Sequence, residues 1–485
     1  MSLTYKPETP VVESRFLISV FIVMFVIFLL LGRLWYLQIY KGHYYLKISE
    51  NNRVRRIDIF APRGTVYDRH GQVIIGNKPF FDLVYIPQYV KDKEKTVKVL
   101  SSLLHLSPTK IAHRIKKNRG RPTFMPITLA HNLSVHEVSM VQNAKVFLPG
   151  IEVQVIPRRN YANKPPAHLS GYVAEITKEQ MTRKNKDPQT KPYFLGDLVG
   201  KQGIELKWED YLRGQRGYRM IQVDAFGRQR KVLSKDKDWS FPAVTPARPG
   251  ADLYLTLDMR LQKIAEKAFE GKNGAVVAMN PQNGEVLVLV SEPHYDPQMY
   301  QESVSFEKWN SLVSHPFKPL FDKTTGGAFA PGSLYKPVVA FAALEEGVIT
   351  DKTRHKCVGR FDLGRDTFHC HKRQGHGHVD LLEAMKHSCD VFFYEIGMAL
   401  GADKIAKYAK DFGLGEKLGL DLNYEDPGVV PTTWWKKKTT NRGWLPGDIP
   451  NLAIGQSANL TTPLQLASLF SSIANGGKVW RRFEY

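Results

Sequence analysis

The feature that most constrains this chain is an apolar run near its N-terminus. Seventeen uncharged residues, from Phe16 to Gly32, lie between Arg15 and Arg33, and nearly all are Phe, Leu, Ile, Val or Met. A helix of this length and composition spans the hydrocarbon core of a bilayer, and aromatic residues follow it at the interface. No cleavage site of small residues comes after the run, so we predict an uncleaved membrane anchor rather than a signal peptide.

Size and charge limit what the rest of the chain can be. The 485 residues are 43% hydrophobic, which is enough for more than one folded domain and excludes a disordered or collagen-like chain. Lys and Arg number 68 against 47 Asp and Glu, giving a net charge of +21. This charge favours an anionic partner, which could be nucleic acid, phospholipid headgroups or an acidic wall polymer. Charges on both sides of the span leave its orientation open.

Turn-forming residues divide the chain behind the anchor. Residues from about 91 to 190 are charged and helix-prone, whereas a Pro-Ala-Arg-Pro-Gly stretch at 246–250 predicts a domain boundary. A strand at 253–257 and a helix with Leu261 and Ile264 on one apolar face follow this boundary.

The second domain opens with a predicted β-hairpin. Apolar runs at 274–279 and 285–290 flank the sequence Pro-Gln-Asn-Gly, and its Asn-Gly pair supplies the positive φ angles that a tight turn requires. The second run is apolar throughout, so we expect a central strand covered on both faces. The mainly helical pattern beyond residue 300 favours a sheet covered by helices, within an α+β multidomain chain.

Ser333 is the strongest candidate for a nucleophile. It precedes an apolar helix that ends near Gly347, and Pro337 fits only the first turn of that helix, so the serine lies at the positive end of the helix dipole. Lys336 follows one turn later on the same face, where a partly desolvated lysine can accept the serine proton. An ordinary helix N-cap would also explain Ser333, because S-x-x-K is common by chance.

A second serine motif supports the catalytic interpretation. Ser388 is followed two residues later by Asp390, a variant of the S-x-N element that accompanies S-x-x-K in serine acyltransferases. We expect Ser388 to relay a proton to the leaving group.

Several stretches together resemble one protein family. Besides the anchor, they are PRGTVYDRHG at 62–71, GAVVAMNPQNG at 274–284, PGSLYKP at 331–337, SCD at 388–390 and NLAIGQ at 451–456. The combination resembles the class B penicillin-binding proteins, and within them the elongation-type peptidoglycan D,D-transpeptidases of Gram-negative bacteria. The likeness extends to about Lys478 and so covers almost the whole chain.

The resemblance implies an organisation in four parts. Residues 1–15 would be a cytoplasmic tail, 16–37 the single transmembrane anchor in the bacterial inner membrane, 38–248 a periplasmic pedestal of the dimerisation type, and 249–485 the transpeptidase domain. That domain would have the penicillin-recognising fold, a five-stranded sheet sandwiched by helices. Ser333 would be the acylated nucleophile, Lys336 its base, and Ser388 with Asp390 the second motif.

The resemblance also implies function and partners. The enzyme would cross-link peptidoglycan stem peptides during lateral wall elongation, through an acyl-enzyme that β-lactams inhibit. Its partners would be a SEDS-type glycan polymerase and other elongation proteins, with no nucleic acid. The alternatives are an inactive, truncated chain that serves only as an interaction partner, and a septal paralogue. β-Lactam sensors and class D β-lactamases share the serine motif but would lack the pedestal.

The cysteines predict a metal site beside the second motif. Cys357, Cys370, His376 and Cys389 give the pattern C-x12-C-x5-H-x12-C. Three thiolates and an imidazole suit tetrahedral Zn²⁺, and four protein ligands leave no open position, so we predict a structural zinc that braces the active-site loop. Three unrelated buried thiols are the alternative. The competing histidine ligands, which lack flanking glycines on both sides, are His369, His371 and His378. Some elongation-type relatives have a zinc site in this region that is built partly from aspartates.

The family's third motif, K-T-G or K-S-G on a strand that lines the cleft, does not occur after Ser388 in these 485 residues. Lys201-Gln202-Gly203 and Lys272-Asn273-Gly274 lack the hydroxyl residue. We therefore expect a C-terminally incomplete transpeptidase domain, from a fragment or a truncated gene, whose labelling by penicillin is weak or absent.

Overall fold

The computed structural model of the protein describes residues 10–480 except 46–53, 119, 121–122, 124–125, 162–163, 189–190, 224–228, 233–241, 302–303, 421 and 423. Helices and strands are mixed along the chain, as the α+β class requires.

The α-helices are numbered in chain order. They are α1 Pro10–Trp35, α2 Lys93–Leu104, α3 Pro108–Lys117, α4 Val135–Asn143, α5 Ala167–Ser170, α6 Lys178–Lys184, α7 Gly203–Lys207, α8 Glu209–Leu212, α9 Met259–Phe269, α10 Phe306–Val313, α11 Lys336–Glu345, α12 Leu381–Lys386, α13 Asp390–Leu400, α14 Ala402–Asp411, α15 Thr433–Thr440, α16 Asp448–Ala453 and α17 Pro463–Ala474.

The strands are numbered in the same way. They are β1 Val54–Ile59, β2 Val66–Tyr67, β3 Val73–Tyr85, β4 Ile127–Ala130, β5 Ile151–Asn160, β6 Val173–Glu175, β7 Leu198–Gly200, β8 Gly217–Val223, β9 Gln229–Val232, β10 Val244–Thr245, β11 Leu253–Tyr254, β12 Gly274–Met279, β13 Val286–Glu292, β14 His355–Cys357, β15 Arg360–Leu363, β16 Asp366–His369 and β17 Gly377–Val379.

The predicted N-terminal helix is present. Within the described part of the chain, Arg15–Tyr40 is the one helical stretch long and apolar enough to cross a membrane, with a mean hydropathy of 2.8. Its large apolar side chains face outward, as those of Phe21 and Phe28 do. Outward-facing apolar side chains on a single helix are typical of a surface that lipid covers.

The chain forms two compact units. One consists of Met1–Phe60, Phe80–Ile156 and Arg216–Arg248, and the other of Ala61–Pro79, Pro157–Gln215 and Pro249–Tyr485. In the first unit, α2, α3 and α4 cover β4 and the second half of β3, and buried leucines and isoleucines such as Leu100 and Ile111 form the core. Antiparallel pairing of β1, β10 and β9 with β8 forms its other sheet.

The second unit contains the predicted β-hairpin. β12 and β13 pair antiparallel from Gly274 opposite Glu292. In the connecting turn Gly284 has the predicted positive φ, at +80°, whereas Asn283 is not among the residues with positive φ. α9 and α17 pack on this hairpin. Among the described residues, the transpeptidase sheet consists of these two strands. The family resemblance implies a sheet of five. The short strand after the predicted boundary, β11, instead pairs parallel with β2.

The helix predicted after the boundary is present as α9, but its apolar face is exposed among the described residues. Leu261 and Ile264 are 43% and 66% exposed, whereas Gln262 is fully buried. The Gln262 amide donates to the carbonyl of Leu289 at 3.0 Å and accepts from its N–H at 2.9 Å, so it bonds β13 as a neighbouring strand would. Because the polar side chain satisfies a strand edge, this helix buries it in preference to two apolar residues.

Four charged residues of the second unit form what we name the closed ion cluster: Arg63, Arg159, Glu205 and Glu209. All are buried. Arg63 Nη2 lies 2.7 Å from a Glu205 oxygen and 2.8 Å from a Glu209 oxygen, and Arg159 Nε lies 2.6 Å from the other Glu205 oxygen. Tyr193 and the N–H of Gly200 donate to Glu209. The charges therefore pair with one another inside the protein.

Candidate active site and metal site

Ser333 lies where a short 3₁₀ turn, Gly332–Tyr335, runs into α11. Pro337 is in the first turn of that helix, as predicted, where its missing N–H costs nothing. The serine is exposed while the apolar residues of α11 behind it are buried, among them Val338 and Val339. The nucleophile candidate is thus held at a helix N-terminus by a packed core.

The 3₁₀ turn is held in place by Gly455. The N–H of Gly332 donates to the carbonyl of Gly455 at 2.8 Å. Gly455 has a φ of +71°, and a Cβ there would lie 2.2 Å from the carbonyl oxygen of Gly332. Only glycine fits this contact, which explains the glycine of the NLAIGQ stretch. The sequence offered no spacing rule that would pair these two glycines.

Lys336 is buried and uses all three of its N–H groups. Its side chain is 2% exposed. Nζ donates to the carbonyl and the hydroxyl of Ser388, both at 2.9 Å, and to Asp390 Oδ1 at 2.6 Å. A lysine in such surroundings is fixed in position and shielded from water, so it becomes a positioned proton acceptor once it gives up one of these three protons.

Ser388 connects the lysine to the nucleophile. Its hydroxyl lies 3.0 Å from that of Ser333 and accepts from Lys336, so the three groups form a continuous hydrogen-bonded path. Ser388 has a φ of +50°, a left-handed conformation that is uncommon for serine. Such strain persists only where surrounding structure holds it, and it is frequent at active sites.

Asp390 lies at the end of the hydrogen-bonded path opposite Ser333. It is the first residue of α13, and its second oxygen accepts the backbone N–H of His371 at 2.9 Å. The exposed ring of His371 lies 3.4 Å from the same oxygen. The structure therefore brings together Ser333, Lys336, Ser388 and Asp390, and adds His371, which sequence analysis had considered only as a metal ligand.

The four predicted metal ligands also converge. The sulfurs of Cys357, Cys370 and Cys389 and a ring nitrogen of His376 all lie within 4.8 Å of one another. Strand pairing accounts for this, because β14 pairs with β17, and the N–H groups of Cys370 and His376 donate to the carbonyls of Gly359 and Cys357. The competing histidines His369 and His378 are exposed and outside the group of four.

The donor set fits zinc. Nδ1 of His376 lies 3.6 Å from both Cys357 and Cys370 sulfurs. A thiolate and an imidazole bonded tetrahedrally to one Zn²⁺ lie about 3.6 Å apart, given ordinary Zn–S and Zn–N distances. The three thiols are buried, and burial raises the pKa of Cys389 to about 12, while burial and nearby cationic side chains lower the pKa of His376. A cation at the centre would supply the charge that thiolates need in this core.

Comparison with known protein families covers most of the chain. The Penicillin-binding Protein dimerisation domain matches residues 58–255, and the Penicillin binding protein transpeptidase domain matches residues 274–481. Among solved structures, PBP2 of Helicobacter pylori in complex with MreC is similar, with a TM-score of 0.77, 28% identity, and coverage of 88% of this chain and 78% of that one. The structure titled "Structural coordination of polymerization and crosslinking by a peptidoglycan synthase complex" matches with a TM-score of 0.67, 28% identity, and coverage of 96% and 81%.

Curated relatives extend the match. Peptidoglycan D,D-transpeptidase MrdA of Escherichia coli K12 is 32% identical over 478 residues, which cover 98% of this chain and 74% of the relative. MrdA of Haemophilus influenzae is 30% identical, with coverage of 98% and 72%. The chain is therefore a penicillin-binding protein of the transpeptidase type, as its motifs predicted. More narrowly, it belongs to the MrdA (PBP2) family of peptidoglycan D,D-transpeptidases.

Proposed function

We propose that this chain cross-links peptidoglycan by acyl transfer through Ser333. The observation that carries the proposal is the hydrogen-bonded path from Ser333 through Ser388 to Lys336 and Asp390, at the N-terminus of a buried helix. The MrdA relatives, named peptidoglycan D,D-transpeptidases, support the same substrate class.

Each residue of the path has a chemical role. Ser333 Oγ attacks the carbonyl carbon of the penultimate D-Ala of a stem peptide, and its proton passes to Lys336, directly or through the Ser388 hydroxyl. For this step Lys336 must be the neutral amine, without one of the three protons that it donates in the structure; it then carries the Ser333 proton while Asp390 balances its charge. Ser388 then protonates the amine of the departing D-Ala. An amine from a second stem peptide attacks the Ser333 ester, loses a proton to the same path and releases Ser333 with its hydroxyl restored. Backbone N–H groups at the helix N-terminus, that of Ser333 among them, stabilise the oxyanion.

Labelling with a fluorescent penicillin tests this mechanism. Labelling is measured on an extended chain that includes the family's third motif, which does not occur after Ser388 in these 485 residues. We expect this extended chain to be labelled at Ser333, because the hydrogen-bonded path positions the nucleophile.

Two variants of the extended chain decide the outcome. Ser333→Ala should abolish labelling with an unchanged unfolding transition, and Ser311→Ala, at an exposed serine of α10, should keep it. Labelling of Ser333→Ala, or of a peptide that does not contain residue 333, would contradict the mechanism.

We further propose that Cys357, Cys370, His376 and Cys389 hold one structural Zn²⁺. When bound, the ion would link β14, the turn before β17 and the N-terminus of α13 into one closed fold element. The 3.6 Å separations between His376 and two sulfurs support this site.

Metal analysis of purified protein tests the zinc site. We expect about one zinc per chain, and Cys370→Ser should lose metal and stability together because binding free energy is folding free energy. His378→Gln, at an exposed histidine outside the group, is the matched control and should keep both. A metal-free chain of full stability would refute the site.

We also propose that α1 anchors the chain in the bacterial inner membrane, with the bulk of the chain in the periplasm, where it assembles with a SEDS-type glycan polymerase and other elongation proteins. The long apolar helix and the similarity to PBP2 solved with MreC support this assembly. A reporter fused after Tyr485 should be active only in the periplasm, and cross-linking in cells should recover the polymerase. A reporter active only in the cytoplasm would contradict the topology.

A further inference from the structure

We propose that Cys357, Cys370 and Cys389 form a site of reversible thiol oxidation, whose substrate is a peroxide and whose product is a disulfide that disorders the second active-site motif. The inference rests on the proposed metal site, since it concerns what else these thiols can do. All three are free thiols, and they are 2%, 1% and 0% exposed.

Proximity makes the oxidation possible. The three sulfurs lie within 4.8 Å of one another, so a movement of at most about 3 Å brings any two to the length of an S–S bond. A third thiol nearby also allows exchange between alternative pairs. Hydrogen peroxide is close to water in size, and the residues that directly follow Cys370, namely His371, Lys372 and Arg373, are exposed, so the chain reaches solvent immediately beside one of the three thiols.

The reaction is a two-electron oxidation. One cysteine attacks an oxygen of hydrogen peroxide as its thiolate, the O–O bond breaks, and a sulfenic acid forms while the leaving hydroxide takes up a proton to give one water. A second thiol attacks the sulfenic sulfur, the S–S bond forms, and a second water leaves. In sum, two cysteine sulfurs lose two electrons, and one peroxide gains two electrons and two protons to become two waters. The protons come from the thiols, or from solvent where the sulfurs start as thiolates. A thiol reductant reverses the step.

Any of the three possible disulfides removes two of the four metal donors. It also draws two sulfurs closer together than two thiolates can lie on one metal ion. The protein around the thiols is packed core, so that movement displaces backbone rather than filling free space.

Backbone movement here reaches the active site by two routes. Cys389 lies between Ser388 and Asp390, and its N–H donates to the carbonyl of Ala384 at 2.8 Å. Cys370 precedes His371, whose N–H holds Asp390 Oδ2. The left-handed conformation of Ser388 depends on the same surroundings. Oxidation would therefore misplace both hydrogen-bond partners of Lys336 without touching Ser333.

The test follows the whole chain during titration with hydrogen peroxide. Zinc release is read with a chromogenic chelator, disulfides are mapped by mass spectrometry, and amide hydrogen exchange is measured over residues 384–391. We expect loss of the bound zinc, a disulfide between two of the three cysteines, and roughly tenfold faster exchange in this segment, because a locally opened segment exchanges from its open state. Dithiothreitol with added zinc should restore all three readouts.

The matched control carries both Cys357→Asp and Cys370→Asp. This variant keeps four potential metal donors but only one thiol, so peroxide should release little zinc and leave exchange over 384–391 unchanged. If the double variant does not fold, Cys357→Asp alone retains two thiols and should form only the disulfide between Cys370 and Cys389.

Three results would overturn the inference: thiols that stay reduced at peroxide levels that oxidise a zinc–thiolate peptide, oxygen added to a single sulfur without a disulfide, or a disulfide with unchanged exchange over 384–391. A chain that contains no zinc as purified, yet forms the disulfide with faster exchange, would refute the zinc proposal and support the oxidation site.

Discussion

The closed ion cluster and the active site both contain a buried pair of a basic and an acidic side chain. They differ in where the hydrogen bonds of that pair end. In the closed ion cluster, Glu205 is fully buried and bonds two arginines, so the pairing ends inside the protein. In the active site, the buried pair of Lys336 and Asp390 continues through Ser388 to the exposed hydroxyl of Ser333. A buried ion pair thus has a structural role when all of its hydrogen bonds are to other buried groups. It can take part in a reaction when its hydrogen bonds lead to a group exposed to solvent.

The open end of the path gives the largest expected effect. Ser388→Ala in the extended chain removes the link between Lys336 and Ser333, and acylation by penicillin should slow on the order of 10³-fold, or about 4 kcal/mol of barrier. Stability should change little, because Lys336 keeps Asp390 and the backbone carbonyl at position 388. Stopped-flow labelling and urea unfolding check the two expectations. A large loss of stability with full activity would mean that the Ser388 path has a structural role rather than a chemical one.

Arg63→Met is the corresponding change in the closed ion cluster. It leaves Glu209 buried without its cation, so the unfolding free energy should fall by about 3 kcal/mol. Arg69→Met breaks a partly exposed pair with Glu285 and should cost less than about 1 kcal/mol. Urea denaturation of the two variants measures the difference. Equal losses of unfolding free energy would mean that burial of the ion pair does not determine its contribution to stability.

Gly455→Ala tests the position of the nucleophile without changing any charged group. The added Cβ would strain a φ of +71° and collide with the Gly332 carbonyl, so we expect a loss of about 2 kcal/mol and slower labelling of Ser333. Gly476→Ala is the control, since its φ is +82° but, apart from its chain neighbours, no atom of the described residues lies within 4 Å of the new Cβ. It should show only the backbone strain, about 1 kcal/mol, with normal labelling. If the two variants lost the same stability and were labelled at the same rate, the contact between Gly455 and Gly332 would have no specific role.

Acid titration gives the smallest effect. Burial acts to raise the pKa of Glu205, but Arg159 and Arg63 outweigh it and hold that pKa below its usual value. Its contribution is therefore complete above the unfolded-state pKa, roughly 4.3, and is lost as pH falls through the lower folded-state value. Burial lowers the pKa of His168 to about 4, so its contribution is lost earlier, between about pH 6.5 and 4.

Urea unfolding between pH 7 and 3 distinguishes these two groups. Glu205→Gln should flatten only the most acidic part of the stability curve, and His168→Gln only the part above about pH 4. If Glu205→Gln flattened the curve near pH 6 instead, the closed ion cluster would not be fully ionised at neutral pH.

Local patterns were sufficient to predict much of the site. Ser333 and Lys336 share one helix turn, Ser388 and Asp390 are two residues apart, and the ligand candidates fall within a short stretch, so spacing alone placed them together. The assignment of roles and of zinc to these residues stays a prediction, as do the domain limits near residue 249. The family and the α+β fold were predicted correctly.

Long-range pairings were not predictable from spacing. Arg63 meets Glu205 across most of the pedestal sequence, and Gly332 meets Gly455 across most of the helical part of the second unit. α9 shows the same limit: apolar periodicity placed Leu261 and Ile264 on one face, but it could not show that Gln262, bonded to Leu289, is the residue that this helix buries. Such contacts depend on which segments meet in space, and a single sequence does not record that.

The bond between Gly332 and Gly455 also sets an order of events during synthesis. Ribosomes release the chain from its N-terminus, so Ser333 and Lys336 emerge long before the carbonyl that fixes their turn. Until the NLAIGQ stretch has emerged, the 3₁₀ turn lacks this anchor and the nucleophile has no fixed position. A nascent chain therefore contains every residue of the serine–lysine motif before the turn that positions them is complete, and this turn gains its anchoring bond only when synthesis has passed residue 455.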